Sequence, residues 1–436
     1  MDTAEFNSIE DVVNTLTEAI EFFRNVDRDY LSQFMYLFDD VKYGLEVVKK
    51  SSLFEDNRTG LEYTDQFIKI IDLYIQNVEA IDFTLIADAF LNWKSALLFD
   101  IAEVSFNRSD YTLANRHYNT LINSNNTDYR AVAFHRLGQI HSESAPFKAL
   151  DMYKRAFEIN NSVSKHLLTS DHPSYHYIYK EVEENYVEHC PFCLKEAEPH
   201  FCAESYRGLS YNKIYSPVKV WMYCDSCDHI FAYNNPDSLS DLKFDGVNGV
   251  TMPFKFSFLP TIGENLKRIK SLAVGDKLLD VGVGGGELLA TAKELLFDVE
   301  GVEIFKHQAN HVSELLGIKV YSCDFLNYET DKQYDIITMG DVIEHIEDPI
   351  RVIQKSHELL NAQGILWIST PNFHSAFSQF SKFNDPMWIE SGHLQYFSYD
   401  SIKKLLERYG FHVVDYSSSR HYRGSMEVTA IKKTAK

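Results

Sequence analysis

One short stretch, LLDVGVGGGELL between Leu278 and Leu289, constrains the fold more than any other part of the chain. It begins with an apolar run that is typical of a buried parallel strand. Four glycines follow within five residues, and a helical periodicity begins at Leu288. This order of strand, glycine turn and helix lets the backbone approach a ligand closely at a helix N-terminus. Taken alone, the pattern is equally compatible with a plain tight turn.

Further strand-like segments follow, and two of them end at an acidic residue. VEGVEI ends near Glu303, which lies 21 residues after Gly282, the spacing expected for a carboxylate that binds both ribose hydroxyls. IKVYSC ends at Asp324, which is placed to accept a hydrogen bond from an exocyclic amine. YDIITMG and GILWIST supply a fourth and a fifth strand. Asp280 before the glycines and the lack of a phosphate-binding lysine argue against a P-loop. Since no third glycine is placed for a pyrophosphate, a nicotinamide dinucleotide is also disfavoured as the ligand.

The order DVGVGGG, VEGVEI, CDF, YDIITMGDVIEHIEDP, GILWISTPN and HLQYFSYDSIKKLLERYGF resembles class I S-adenosylmethionine-dependent methyltransferases. The resemblance covers residues 254–436 and is closest to the branch with a D-V-[IL]-E-H-[IV]-x-D-P segment after strand four. It implies a Rossmann-like, mostly parallel sheet of seven strands, with the cofactor across the carboxyl ends of the strands.

The same resemblance implies which residues bind S-adenosylmethionine. The glycine turn would surround the methionine end, Glu303 the ribose, and Asp324 the adenine amine. For Glu303, Asp324 and Asp341, a solvated surface acid is the alternative. The complete expected set is Asp280, Gly282, Gly284, Gly286, Glu303, Ile304, Asp324, Phe325, Gly340 and Asp341.

Candidates for the acceptor side come from histidines, because imidazole can take a proton near neutral pH. His393 in SGHLQYFS matches a histidine that faces the acceptor pocket in similar enzymes, and it is our best candidate base. In related sugar methyltransferases a glutamate precedes this histidine, whereas Gly392 stands here, so a structural role stays open. His345, predicted on a helix beyond the cofactor, is a second catalytic candidate or a brace for its loop. Lining candidates are Tyr396, His374 and Trp388, followed by the weaker Tyr422 and Arg423.

Two cysteine pairs precede this region, Cys190-Pro-Phe-Cys193 and Cys224-Asp-Ser-Cys227, with 30 residues between them. Each short turn can present two thiolates to one ion, and two such turns complete a closed tetrahedral shell for a structural Zn²⁺. Four unrelated thiols, or substitution of a ligand by His200 or His229, are the alternatives. CDHIFAYNNP is similar to the end of zinc modules that precede methyltransferase domains, although Asp228 stands where glycine is common.

The region from Ile9 to about Asn161 has helical periodicity. One predicted apolar face contains Leu31, Phe34, Met35, Phe38, Val41, Leu45 and Val48. Ala114 and Tyr118 recur 35 residues later as Ala149 and Tyr153, with Leu137-Gly138 between them, which resembles degenerate tetratricopeptide repeats. Such a surface can dock a partner protein or pair two copies of the chain, or it can be only a packed core.

The chain of 436 residues has 63 acidic residues against 42 Lys and Arg, a net charge of −21. This balance disfavours nucleic acids and anionic membranes. The start MDTAEFNSIEDVV lacks the features of a signal peptide, and no run of about 18 apolar residues predicts a membrane span. We therefore expect cytoplasmic residence.

Together these patterns predict three domains: a helical domain at 1–168, a zinc module at 185–236 and a methyltransferase domain at 237–436. The predicted function is methyl transfer from S-adenosylmethionine to an oxygen or an activated carbon of a small-molecule or glycan acceptor. A scaffold with a weak or silent methyltransferase fold and a protein methyltransferase are the alternatives.

Overall fold

The computed structural model describes residues 9–25, 36–50, 59–76, 82–209, 211–237 and 252–433. The chain divides into two compact units. The first, the helical unit, comprises residues 1–141 and 151–179, and the second, the sheet unit, comprises 142–150 and 180–436. The second unit therefore holds both the cysteine pairs and the glycine turn. Within the described ranges, no helix is both long enough and apolar enough to cross a bilayer.

Amphipathic helices build the first unit, as the periodicity predicts. On the second helix, α2 Tyr36–Lys49, the predicted residues Phe38, Val41, Leu45 and Val48 are all buried. Leu31, Phe34 and Met35 lie outside the described residues. The four buried residues belong to an apolar core formed with the first, third and fourth helices. The helices of this part of the chain are α1 Ile9–Asn25, α2 Tyr36–Lys49, α3 Thr59–Gln76, α4 Phe83–Asn107, α5 Tyr111–Leu121, α6 Thr127–His141, α7 Pro146–Ile159 and α8 Ser164–Leu167.

The residues of the proposed repeat are buried in these helices. Tyr118 and Tyr153 are at most 1% exposed. A Cβ atom on Gly138 would lie 3.0 Å from three atoms of the Tyr153 ring, so the glycine permits close packing on that ring. The packing explains these residue types, while the assignment to tetratricopeptide repeats stays a prediction.

A seven-stranded sheet forms the centre of the second unit. Its order is β12-β13-β10-β9-β6-β7-β8, and β13 alone runs antiparallel to its neighbours. The strands are β6 Lys277–Val281, β7 Asp298–Glu303, β8 Lys319–Ser322, β9 Tyr334–Gly340, β10 Leu360–Pro371, β12 Phe411–Ser418 and β13 Ser425–Lys432. The mostly parallel sheet expected from the resemblance is confirmed.

Helices connect the parallel strands and cover the sheet. They are α9 Leu259–Leu272, α10 Glu287–Glu294, α11 Lys306–Leu316, α12 Pro349–Leu359, α13 Ala376–Ser381 and α14 Tyr399–Arg408. Ile262, Leu266 and Ile269 of α9 pack with strand residues such as Leu278 and Ile336. The strand order reverses between β6 and β9, and ligands of open α/β sheets bind at such a switch point.

The cysteine pairs lie on a second, smaller sheet with the order β11-β4-β3-β2. Three of its strands are β2 Glu198–Ala203, β3 Lys219–Cys224 and β4 His229–Ala232, while β11 Gln395–Phe397 comes from the far end of the chain. β1 Glu184–Tyr186 pairs separately with β5 Asn234–Pro236. The module therefore shares a core with the segment after β10, in which Trp221, Met387, Trp388 and Tyr396 pack together.

Three local features of this unit were not predicted in detail from the sequence. The segment that follows His393 is not a simple loop, since β11 pairs antiparallel with β4 of the cysteine sheet. His345 lies on a short 3₁₀ helix, Ile343–His345. The turn-rich stretch 234–252, whose composition favours a linker before the methyltransferase-like domain, begins with β5. Its residues 238–251 lie outside the described residues, so the linker stays a prediction.

Candidate functional site

The glycine turn follows β6 at its carboxyl end and leads into α10. Gly282, Gly284 and Gly286 all have positive φ angles, of 77°, 53° and 94°. At Gly282 a Cβ atom would lie 2.5 Å from Cγ2 of Val342, so a side chain is excluded by space as well as by backbone conformation. Gly286 occupies the N-cap of α10. Because these glycines carry no side chain, the backbone of the turn can be approached by a ligand at the switch point, as the sequence predicts.

Asp280 lies below this turn between two parallel strands. The carboxyl group is buried, and Oδ1 accepts a hydrogen bond of 2.7 Å from the Thr338 hydroxyl of β9. Burial raises the pKa of Asp280 to about 7, against the effect of that hydrogen bond. A cationic ligand group near this carboxyl group would favour its ionised form.

Glu303 ends β7, the strand next to β6. The two strand ends are joined by a 2.8 Å hydrogen bond from the Gly282 amide to the Val302 carbonyl. Glu303 is 6% exposed, and Oε1 accepts from the Phe305 amide at 3.0 Å. Burial raises the pKa of this carboxyl group, while backbone amides oppose the shift. A desolvated acid at this edge suits a ribose, whose hydroxyls can replace water as donors.

Asp324 and Phe325 follow β8, the next strand along the edge. Asp324 caps a short 3₁₀ helix, and Oδ1 accepts from the Leu326 amide at 2.8 Å. A carboxylate accepts more than one hydrogen bond, so an adenine amine remains compatible with this cap. Phe325 is buried, while Ile304 after β7 is partly exposed. The two apolar side chains are therefore placed on neighbouring strand ends.

Gly340 and Asp341 stand at the end of β9. Asp341 has a φ of 54°, in the left-handed region that is uncommon for residues with a side chain. Its amide donates to the Ser369 carbonyl at 2.9 Å, and the Ser369 hydroxyl donates to its carboxylate at 3.2 Å. Burial raises the pKa of Asp341 to about 6.

The acceptor candidates His345 and His393 are brought together. Their rings lie with centroids 4.6 Å apart, and Glu344 lies beside them. His393 Nδ1 bonds to the Tyr396 hydroxyl at 2.8 Å, and His345 Nδ1 bonds to the Gly392 carbonyl at 2.9 Å. Burial lowers the pKa of His393 well below its ordinary value, so that the imidazole is neutral at pH 7. The sequence analysis did not include Glu344 among the site residues. Its position next to the candidate His345 in the segment DVIEH could have indicated it.

Gly392 has a structural reason of its own. A Cβ atom there would lie 3.2 Å from Nδ1 of His345, closer than ordinary contact. Glycine at this position therefore lets the backbone approach the histidine. The Gly392 carbonyl oxygen, and not a side chain, is the hydrogen-bond partner of His345 here.

The cysteine sheet holds the segment that carries His393, a role that sequence reasoning missed. Lys219 of β3 is 1% exposed and donates to the carbonyls of Ser391 and His393 at 2.7 and 2.6 Å. His229 of β4 bonds to the Gln395 side chain at 2.9 Å. These contacts make the small sheet a support for the predicted acceptor side.

The remaining predicted lining residues are dispersed. His374 is about half exposed and bonds to Asp228 of the cysteine turn at 2.9 Å. Trp388 is buried in the core of the small sheet. Tyr422 packs edge-on against Phe258 near α9. Tyr396 contacts His393 directly, through the 2.8 Å hydrogen bond to Nδ1.

The two cysteine pairs converge as the spacing predicts. One ligand atom from each of Cys190, Cys193, Cys224 and Cys227 lies within 4.8 Å of the others. The Cys193 and Cys224 sulfurs are 3.6 Å apart, close to the separation of about 3.8 Å expected for tetrahedral Zn–S bonds of about 2.3 Å. The residues present thus fit a zinc ion. His200 and His229 are absent from this cluster, and Asp228 adopts a φ of 52°, which explains why glycine is common there.

Comparison with known proteins agrees with this architecture. Residues 257–416 match a protein-family model described as a methyltransferase domain. The ubiquinone biosynthesis O-methyltransferase of Haemophilus ducreyi is 29% identical over 131 residues, which are 28% of this chain and 52% of that protein. The corresponding protein of Glaesserella parasuis is 34% identical over 110 residues, which are 22% of this chain and 46% of that protein. The chain thus spans about half the length of these curated relatives.

Among solved structures, magnesium protoporphyrin IX methyltransferase from Synechocystis PCC 6803, with bound SAH, aligns with 41% of this chain and 83% of its own. The identity is 17% and the TM-score 0.34. The assignment of the fold rests on the strand order and on the family match. Together these define a methyltransferase-like α/β domain in the C-terminal part of the chain.

Proposed function

We propose that this protein is an S-adenosylmethionine-dependent methyltransferase acting on an oxygen or an activated carbon of a small-molecule or glycan acceptor. The observation that carries the proposal is the convergence of Asp280, the glycine turn and Glu303 at the carboxyl edge of β6 and β7. The relatives named as O-methyltransferases favour oxygen as the acceptor atom. The intact glycine turn and the buried carboxyl group of Glu303, at the expected ribose position, argue against a scaffold without methyltransferase activity.

Methyl transfer depends on correct positioning of the cofactor and the acceptor more than on covalent catalysis by the protein. The cofactor supplies a methyl group activated by positively charged sulfur. The chain's own residues would hold that group in line with the acceptor, which supplies much of the rate. The acceptor oxygen forms a bond to the methyl carbon, the carbon–sulfur bond breaks, and its electron pair neutralises the sulfur. The hydroxyl proton must leave, and His393 is the candidate to take it because it lies beside His345 at the same edge of the sheet.

Binding of the cofactor tests the proposal without knowledge of the acceptor. Calorimetry on the full chain should show one S-adenosylmethionine bound per molecule. Glu303→Gln should weaken binding at least tenfold, since a carboxylate is about 1.5 kcal/mol or more better than an amide as acceptor for two hydroxyls. Asp298→Asn, at the exposed opposite end of β7, is the matched control and should bind normally. Equal affinities for the three proteins would contradict the proposal.

The four cysteines are proposed to hold a structural Zn²⁺. Their closed sulfur set has no position for water, so the ion would stabilise the small sheet and take no part in methyl transfer. The helical unit is proposed to bind a partner protein or a second copy of the chain, as its repeat-like pattern suggests.

A further inference from the structure

The ammonium group of Lys219 is buried between the small sheet and the segment that carries His393. Lys219 begins β3 and is 1% exposed. Its Nζ atom donates to the Ser391 carbonyl at 2.7 Å and to the His393 carbonyl at 2.6 Å. Removal of a cation from water costs folding free energy, and two neutral carbonyls replace only part of its hydration. We therefore expect this side chain to have a role in addition to packing.

Aromatic rings complete the surroundings of this ammonium group. Nζ lies 5.2 Å from the ring centroid of Trp221 and 5.4 Å from that of Tyr215. The faces of such rings attract cations, so they replace a further part of the hydration. Burial lowers the pKa of Lys219 to about 7, against the opposing effect of the Glu390 charge. Below about pH 7 the group is therefore a charged donor of up to three hydrogen bonds.

The same short segment also orients His345. The Gly392 carbonyl stands between the two carbonyls that Lys219 binds, and it is 2.9 Å from Nδ1 of His345. Because a carbonyl can only accept, Nδ1 carries the proton in this bond. Three consecutive carbonyls, 391 to 393, are thus bound alternately by Lys219 and His345. A shift of this backbone would break both sets of hydrogen bonds.

His393 is oriented by this backbone together with Tyr396. The Tyr396 hydroxyl donates its single proton to the Met387 carbonyl, so it accepts from His393 Nδ1 at 2.8 Å. Burial lowers the pKa of His393 well below its ordinary value, and the charges of His345 and Lys219 act in the same direction. In the neutral ring the lone pair therefore lies on Nε2, which is the form that a proton acceptor requires.

We propose that Lys219 is a positioning residue, which holds the backbone of residues 391–393 so that His345 and His393 keep these orientations and protonated nitrogens. Since Lys219 is buried, it would act through this backbone and not by contact with the acceptor. The role rests on the proposed function, in which the acceptor hydroxyl proton passes to Nε2 of His393. The small sheet would then serve methyl transfer through one of its own side chains.

Lys219→Met tests the role, because it removes the charge and the donors and keeps a long side chain. Nitrogen-15 spectra of the histidine-labelled full chain, assigned with His345→Gln and His393→Gln, identify the protonated nitrogen of each ring. In the unmodified protein both Nδ1 protons should exchange slowly with water. In Lys219→Met both signals should be lost, and the His393 ring should become a mixture of tautomers. Amide exchange at residues 393 and 394 should rise at least tenfold, since two charge-assisted bonds are lost.

Lys213→Met, at an exposed position shortly before β3, is the matched control and should behave like the unmodified protein. A lysine that only stabilises the fold would lower the melting temperature and leave the imidazole signals of the folded protein unchanged, and this result overturns the inference. Binding of S-adenosylmethionine is measured in parallel and should be equal in all three proteins. If the cofactor binds and the imidazole signals do not respond, only this inference fails. If the signals respond and no cofactor binds, the proposed function fails while the positioning of the two histidines is supported.

The unmodified protein decides the question should Lys219→Met not fold. At about pH 6, where the amine is charged, the Lys219 ammonium protons should exchange slowly and show couplings to carbonyl carbons 391 and 393. Rapid exchange of these protons with water would overturn the inference. Gly392→Ala provides a second variant, since its Cβ atom would lie 3.2 Å from His345 Nδ1. It should disturb the His345 signal and leave the ammonium couplings in place; an undisturbed His345 signal would contradict the proposed backbone contact.

Discussion

The buried carboxyl group of Asp280 is expected to link cofactor binding to pH. Its pKa of about 7 comes from burial between β6 and β9. Since the folded pKa lies above the unfolded value of about 3.9, this residue weakens folding as pH rises from about 4 to 7. A bound cation would reverse the preference by stabilising the carboxylate. Cofactor binding should then release a proton below pH 7.

The expected result is an affinity for S-adenosylmethionine that falls about fivefold to tenfold between pH 7.5 and pH 6, because the acid must first lose its proton. Calorimetry in buffers with different ionisation enthalpies would count the released proton. Asp280→Asn should bind more weakly and with a smaller dependence on pH in this range, the remainder coming from Asp341, whose pKa is about 6. A wild-type affinity independent of pH would show that the cofactor's charge does not reach Asp280.

Two glycines of the same turn should respond differently to alanine. Both Gly282 and Gly284 have positive φ, which costs about 1 kcal/mol for an alanine. At Gly282 the new methyl group would also collide with Val342, whereas at Gly284 nothing lies within 4 Å. Gly282→Ala should therefore lower the free energy of unfolding by about 2 kcal/mol or more, and Gly284→Ala by about half as much. Urea denaturation of the two variants measures this difference, and equal losses would refute it.

Among the secondary-structure elements, β11 is a strand because it pairs with a sheet whose other strands are distant in sequence. Its three residues, Gln395–Phe397, pair with β4 next to the cysteine turn. Such a short segment carries too little periodicity to predict a strand, so the sequence offered only a loop around His393. The pairing was decided by contacts across more than 160 residues, among them the bond between His229 and Gln395.

Removal of metal from the cysteine cluster should therefore loosen β11. After chelation, amide hydrogen exchange at residues 395–397 should rise toward that of an unprotected segment, because β4 loses the support of the zinc ion. Exchange in β9, Tyr334–Gly340, serves as the internal control and should change little. Re-addition of Zn²⁺ should restore protection. Unchanged exchange at β11 would indicate that the small sheet keeps its structure without metal.

At the level of the whole molecule, the chain consists of two compact units. All proposed cofactor contacts come from the sheet unit, and the helical unit contributes its own apolar core. The net charge of −21 disfavours binding to polyanions. Damage to the helical unit should thus leave the cofactor site intact.

Gly138→Ala tests this separation. The added methyl group would overlap the Tyr153 ring in the helical unit, at a cost of about 1–3 kcal/mol. Calorimetric unfolding should show a lower melting temperature for the helical unit, and the affinity for S-adenosylmethionine should equal that of the unmodified protein. Ser162→Ala, elsewhere in the same unit, is a control of similar size. A matching loss of cofactor affinity in Gly138→Ala would contradict the separation.

The sequence by itself determined the parallel strands, the glycine turn and the convergence of two cysteine pairs, because each depends on local periodicity or spacing. It also indicated Glu303 and Asp324, whose positions follow from where strands end. Only the tertiary structure decided that His345, His393 and the buried Glu344 meet, and that Lys219 holds the chain between Ser391 and His393. Those contacts join segments up to 174 residues apart. Their side chains follow no shared period, so only packing and the burial of unpaired polar groups bring them together.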